Sequence, residues 1–287
     1  MNELKENIAQ TIFEQARQPQ ELSHSMESGK LFAVPDGWSL ETDAELEKFQ
    51  PVPSRKKGNI TFTTSESFVE YVNLHKTDET RIYAVSTESN PLIVKAVFNE
   101  NEPGIATLPG WRDFTATFIP KTALEWSTWM KSNRSVMSQF DFAVFIEENL
   151  KDIYQPKEES DQPALPDGSS MLAMALKFEV NSEKRMKSSV RLQSGGSNID
   201  FVDTDDAATV ERMNVFDKFA IGIPVFWKAS GYVLTARLRY RNQQGKLMLW
   251  YELIRPDLTV DDAVTDALAL IEKGTEIKAM HVSELSR

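Results

Sequence analysis

The chain has 287 residues, 41% of them hydrophobic and 26% charged, with a formal net charge of −11 and no cysteine. That apolar share supports a packed core and excludes whole-chain disorder, while the missing thiols exclude disulfide scaffolds, thiolate metal sites and cysteine nucleophiles. No apolar run reaches the roughly 18 residues that would span a bilayer, and the start Met1-Asn2-Glu3-Leu4-Lys5-Glu6-Asn7 has no apolar signal core, so the expectation is a cytoplasmic protein of about two domains.

Leu4, Ile8 and Ile12 recur at four-residue spacing, which predicts an amphipathic helix over 3–17 that docks on a neighbour. Residues 18–59 are rich in Pro, Ser and acid, and Pro51-Val52-Pro53 with Arg55-Lys56-Lys57-Gly58 reads as a surface turn. A strand is expected at 60–63. Thr63 and Glu66 stand at capping-box spacing before a helix carrying Phe68, Val69 and Val72. Strands follow at 81–87, 92–98 and 112–119, where β-branched residues concentrate. Thr122 and Glu125 suggest a second capping box, and 137–153 a longer helix. The stretch Gln155–Pro163 has two prolines, several charges and no bulky apolar side chain, the composition of a linker.

After it, Leu172, Met174, Leu176, Phe178 and Val180 alternate with Ala173, Ala175, Lys177 and Glu179, which predicts a strand. Strands are expected at 188–193, 199–202, 221–227, 231–241 and 246–254, with Asn242–Gly245 as a turn. Thr259 is the expected cap of a final helix that Gly274 ends. The fold class is α+β: a docking helix and arm over 1–30, an acidic mixed domain over 31–154, a linker over 155–170, and a mainly antiparallel sheet over 171–287 closed by a C-terminal helix.

Charge is unevenly distributed. Residues 1–170 hold 16 basic and 27 acidic residues, whereas 171–287 hold 16 of each. Lys218–Tyr251 has six basic residues and no acid; Asp257–Glu276 has six acids and one Lys. Period two puts Arg237, Arg239 and Arg241 on one sheet face. A register pairing Arg241 with Lys246 adds Lys246, Met248 and Trp250 to that face. An Arg row beside an aromatic ring can hold phosphates and stack bases. The competing reading is a solvated face, or arginines satisfied by acids elsewhere.

Other candidates carry less. Asp200, Asp203, Asp205 and Asp206 offer oxygens for a divalent cation, but without the glycine and downstream Glu of a calcium loop they read first as the start of a helix over Ala207–Met213. Glu147 and Glu148 point about 100° apart on a helix, so they do not converge; Glu147 and Lys151 fit an i, i+4 surface pair. Glu276-Ile277-Lys278 matches only the tail of a nuclease motif. His24, His75 and His281 are scattered through polar segments. Trp126 and Trp129, three apart with Met130 beside them, suit a core stripe. No phosphate loop, dinucleotide fingerprint, zincin motif or nucleophile elbow is present.

Leu108-Pro109-Gly110-Trp111-Arg112-Asp113, Trp126-Ser127-Thr128-Trp129-Met130, the run Gln139–Leu150 and the 216–254 sheet resemble the YfdQ-like family of tailed-phage and cryptic-prophage proteins, over nearly all of 60–270. The resemblance implies an accessory phage gene, often near replication or recombination functions, and carries no assigned catalytic residue. The expectation is therefore a non-enzymatic, homo-oligomeric accessory protein without a cofactor or membrane association. It would act in the host bacterial cytoplasm on nucleic acid or on a host protein, through Arg237, Arg239, Arg241, Lys246 and Trp250. The alternatives are a metal-dependent hydrolase or nuclease built on Asp203, Asp205 and Asp206, and a minor virion structural or assembly protein.

Overall fold

The structure is a computed structural model that describes residues 20–23, 31–33, 51–53, 55–155, 165–180, 185–191, 196–202, 210–243 and 246–284. The expected 3–17 helix and most of the expected linker, 156–164, lie outside the described residues. Residues 1–56 form one compact unit and 57–287 a second. In the first, strands β1 (Gln20–Ser23) and β2 (Leu31–Ala33) pair antiparallel. The second is an α+β assembly with two hydrophobic cores.

One core lies under a five-stranded sheet. Its strands are β3 (Gly58–Phe62), β4 (Arg81–Val85), β5 (Ile93–Val97), β8 (Phe114–Phe118) and β16 (Ala279–His281), in the order β16-β4-β5-β8-β3. Ile82, Ala84, Val94, Ala96, Ala116 and Phe118 alternate toward helix α1 (Ser65–His75), whose Phe68 and Val72 are wholly buried. A short pair, β6 (Asn101–Glu102) and β7 (Ile105–Pro109), projects from this region.

The larger core lies under a four-stranded sheet ordered β13-β14-β15-β9: β13 (Lys218–Pro224), β14 (Gly231–Gln243), β15 (Lys246–Leu253) and β9 (Met137–Ser138). Phe219, Ile221, Leu234, Ala236, Leu238, Leu249, Tyr251 and Leu253 point to one side and are buried against helices α2 (Leu124–Ser132), α3 (Gln139–Glu148) and α4 (Gly168–Val180). Trp129 centres this core: its Nε1 donates to the buried Asp152 carboxylate at 2.9 Å, and its carbonyl accepts from Tyr251 Oη. Burial and this donated hydrogen bond leave no polar atom of the pair unsatisfied. This core draws on both sides of the 155–170 stretch, joining residues 123–146 to 171–175 and 219–263.

Helix α5 (Pro256–Thr275) links the cores. Ala263 packs into the larger and Leu268 and Ile271 into the smaller. Proline at its first position follows Arg255 in the left-handed region (φ 48), so the helix starts three residues before the Thr259 expected to cap it. Gly274 does not end it. The last turn runs to Thr275 and left-handed Glu276 (φ 59) closes it. Gly274 instead lets α1 come close: a Cβ there would stand 2.6 Å from Val69 Cγ1, and Asn73 Nδ2 donates to its carbonyl at 2.9 Å.

Three local expectations are corrected. The 171–180 alternation is helix α4, not a strand. Met171, Met174 and Ala175 are buried at helical spacing, the apolar run satisfies either period, and Met, Leu and Ala favour helix. Its start signal is Asp167, whose carboxylate accepts the Ser170 N–H at 2.6 Å; that bond holds the Asp167 carboxyl below its usual range. Val210–Phe216 is strand β12, not part of a helix over 207–213, and pairs antiparallel with β11 (Gly196–Val202), which also pairs with β10 (Arg185–Arg191). Neither expected capping box forms: Thr64 and Ala123 precede the two helices and neither gives a side-chain cap, Thr64 Oγ1 donating instead to Ser67 Oγ at 3.0 Å.

Candidate basic sheet face

The side of the four-stranded sheet that turns away from the helices is built by register. Arg237 pairs with Glu252, Arg239 with Trp250, Arg241 with Met248 and Gln243 with Lys246. The expected pairing of Arg241 with Lys246 is thus displaced by two residues. A slip of two preserves the face, so Arg237, Arg239, Arg241, Met248 and Trp250 stand on one side. Glu252 shares that face in either register, and the slip places it opposite Arg237.

The three arginines are exposed, and Met248 and Trp250 are half-buried beside them. Strands β13–β15 contain five cations (Lys218, Arg237, Arg239, Arg241, Lys246) and one acid, Glu252. Lys218 stands opposite Arg237 across the β13–β14 ladder. Glu252 accepts from Arg239 Nε and from Trp250 Nε1, each at 3.4 Å, long for a hydrogen bond. Arg241 lies 5.9 Å over the Trp250 ring and donates to Gln243 Oε1 at 3.2 Å. Cation–π contact and the amide hold one guanidinium in place without neutralising it. The face can hold anions at spaced points with a polarizable apolar strip alongside.

Beyond the face, the β13 edge is covered, since Ile153 bridges Ile221 and the Tyr154 N–H donates to the Ala220 carbonyl at 2.8 Å. At the far end of β14 a cleft of about 120 Å³ is lined by Thr63, Glu66, Trp227, Lys228, Tyr232 and Asp266, among others. Lys121 and Lys228 place their ammonium groups 5.6 and 4.5 Å from the Trp227 centroid. Tyr232 Oη donates to Asp266 Oδ2 at 2.6 Å. Burial, then the Asp266 carboxylate, push the Tyr232 phenol far above its ordinary range, so it remains a donor. The lining has no histidine. Sequence reading missed this cleft because Thr63–Glu66 lies 160 or more residues from Phe226–Tyr232 and no local pattern joins them.

The remaining candidates resolve as follows. Asp203, Asp205 and Asp206 lie outside the described residues; Asp200 stands opposite Arg212 in the β11–β12 ladder. Among the described residues no group of three or more His, Asp or Glu side chains could hold a metal ion. Lys151 pairs with Glu125 at 3.6 Å, not with Glu147, because α3 ends at Glu148 and Leu150–Asp152 is a 3₁₀ turn that breaks the i, i+4 spacing. Glu276 closes α5 and reaches Lys76 at 3.7 Å. His75 is half-buried among Tyr71, Phe98 and Phe114 rather than in a polar surface setting. Trp126 and Trp129 are core residues, as expected. No helix among the described residues is long and apolar enough to cross a membrane.

A family model described as Uncharacterized conserved protein (DUF2303) matches residues 2–281, and the chain belongs to that family. No curated protein and no solved structure matches it.

Proposed function

We propose that this DUF2303 chain is a nucleic-acid-binding accessory protein of tailed phages and prophages, acting in the host bacterial cytoplasm as a homo-oligomer and without catalysis. The observation that carries the reading is the row of exposed Arg237, Arg239 and Arg241, with five cations against one acid on its three strands. A merely solvated face needs no such imbalance, since soluble surfaces intersperse both signs. The phage setting rests on the resemblance to the YfdQ-like family. The net charge of −11 opposes long-range attraction to phosphate, so binding is local to this face and weakens with salt.

Replacing all three arginines by Gln keeps length and polarity. Gel shifts with labelled nucleic acid should lose at least about tenfold in affinity, because each charge-assisted contact contributes about 1.5–3 kcal/mol. A thermal melt of the same variant should change little, because exposed charges contribute under about 1 kcal/mol each. Unchanged affinity in a stable variant would end the reading, and capture of an acidic host protein by the same arginines would replace it.

The homo-oligomer rests on the apolar stripe Leu4, Ile8 and Ile12, since a short isolated helix is marginal in water. Light scattering should give an oligomer for the intact chain and a smaller species for a chain starting at Gly29. A monomeric intact chain would contradict it.

A further inference from the structure

Resting on the nucleic-acid reading, we infer that the basic face is a track for a single strand in extended form, with phosphates along β14 and bases over Met248 and Trp250 of β15. Alternate residues on a strand lie roughly 6.7 Å apart. Arg237, Arg239 and Arg241 are therefore collinear charges repeating on the scale of one nucleotide of an extended backbone. They lie in one line, not in the two lines that the two backbones of a duplex would present.

The neighbouring strand supplies the second half of the track. Trp250 is directly opposite Arg239 and Met248 directly opposite Arg241, so their Cβ atoms stand about 4.5–5.5 Å from those of the arginines. A row of cations thus runs beside a row of half-buried, polarizable apolar side chains. Base–aromatic stacking needs a free π-face, which a single strand offers and a stacked duplex does not. Arg241 is already over the Trp250 ring at 5.9 Å, which orders both partners before a base arrives. Net charge favours the same choice: a duplex carries about twice the charge per unit length, and the chain as a whole repels it.

Glu252 sets where the track ends. It stands opposite Arg237 and accepts from Arg239 at 3.4 Å, so it competes with a phosphate at the Arg237 end and leaves Arg241 as the open end.

Fluorescence anisotropy of the full chain with labelled oligothymidylate and with a labelled duplex of the same length tests this. The inference expects the single strand to bind at least about tenfold tighter than the duplex. Trp250→Leu keeps apolar bulk on the sheet and should weaken oligothymidylate about tenfold, with duplex binding unchanged; Trp250→Phe should recover most of the loss. A thermal melt of each variant separates lost stacking from lost fold, and quenching of tryptophan emission by oligothymidylate that is absent in Trp250→Phe reads the ring directly. A duplex bound as tightly as the single strand, or an indifferent Trp250→Leu, overturns the single-strand track while leaving the basic face a nucleic-acid site. Binding of neither probe at low salt overturns both.

Discussion

The two sheets of the second unit are built alike and finished differently. Each buries one side against helices and leaves the other partly exposed, with Ala220 buried there on the four-stranded sheet and Val97 and Thr115 on the five-stranded one. On the five-stranded sheet, Arg81, Tyr83 and Lys95 turn away from the core-facing Ile82, Ala84, Val94 and Ala96, and the arginines on and beside it are engaged. Arg81 donates to the carbonyls of Asp78 and Thr80 at 2.8 Å. Arg112 meets Glu100 at 3.2 Å and lies 5.9 Å over Tyr83. Asn59 accepts from Thr115 and Thr117 at 3.0 and 2.8 Å. On the four-stranded sheet, three arginines share one loosely held carboxylate. A face whose arginines are each engaged offers little to an outside anion; a row of three arginines beside one carboxylate has capacity for one. That contrast singles out Arg237, Arg239 and Arg241, not the mere presence of basic residues.

The largest expected effect lies beneath the basic face. Trp129→Ala removes the indole donor of the buried Asp152 carboxylate and opens a cavity, while Tyr251 Oη keeps its bond to the backbone carbonyl; it should cost about 3–5 kcal/mol in chemical denaturation. Because α5 contributes to both cores, both sheets should unfold in one transition. Two separate transitions would mean that the sheets are independent and the comparison is between domains. Next, Gly274→Ala forces a Cβ against Val69 where α1 crosses α5. It should cost about 1–3 kcal/mol and leave the basic face unaffected; a melting temperature at or above that of the parent would show that the crossing can relax.

Two single changes then probe the faces themselves. Glu252→Gln removes the one acid from the four-stranded sheet and should tighten nucleic-acid binding by about threefold, a gain under about 1 kcal/mol, in anisotropy titrations. Weaker binding would mean that Glu252 positions Arg239 rather than competing for it. Arg112→Gln, in the turn beside the other sheet, removes the same type of charge from a setting paired with Glu100 and should leave affinity unchanged. A loss comparable to that of the Arg237/Arg239/Arg241→Gln variant would erase the distinction between the faces.

Much of this was legible in the sequence because it depends on period. The alternation of Arg237–Leu238–Arg239–Tyr240–Arg241 placed the arginines on one side, and a register slip of two residues could not alter that. The α+β class, the strands around 82–97 and the burial of Trp126 and Trp129 followed from β-branched content and aromatic spacing. What was not legible depends on distance along the chain or on degenerate pattern. Leu172–Val180 begins with Ala173 and Ala175 on the second strand face before Lys177 and Glu179, so alternation could not exclude the helix that packing selected. Glu252 came to stand opposite Arg237 only through the ladder register. The joining of α2 and α3 to β13–β15 across the Pro-rich stretch is a long-range packing choice that composition does not encode.

The most direct test of the central claim is the salt dependence of binding. Plotting log affinity for an oligothymidylate against log salt for the parent and for the Arg237/Arg239/Arg241→Gln variant isolates the phosphate contacts made by this face. With about 0.7 counterions released per phosphate on a single strand, the loss of three contacts should flatten the slope by about 2. A variant whose slope and affinity both equal those of the parent would contradict the claim that the basic side of the four-stranded sheet is where nucleic acid binds.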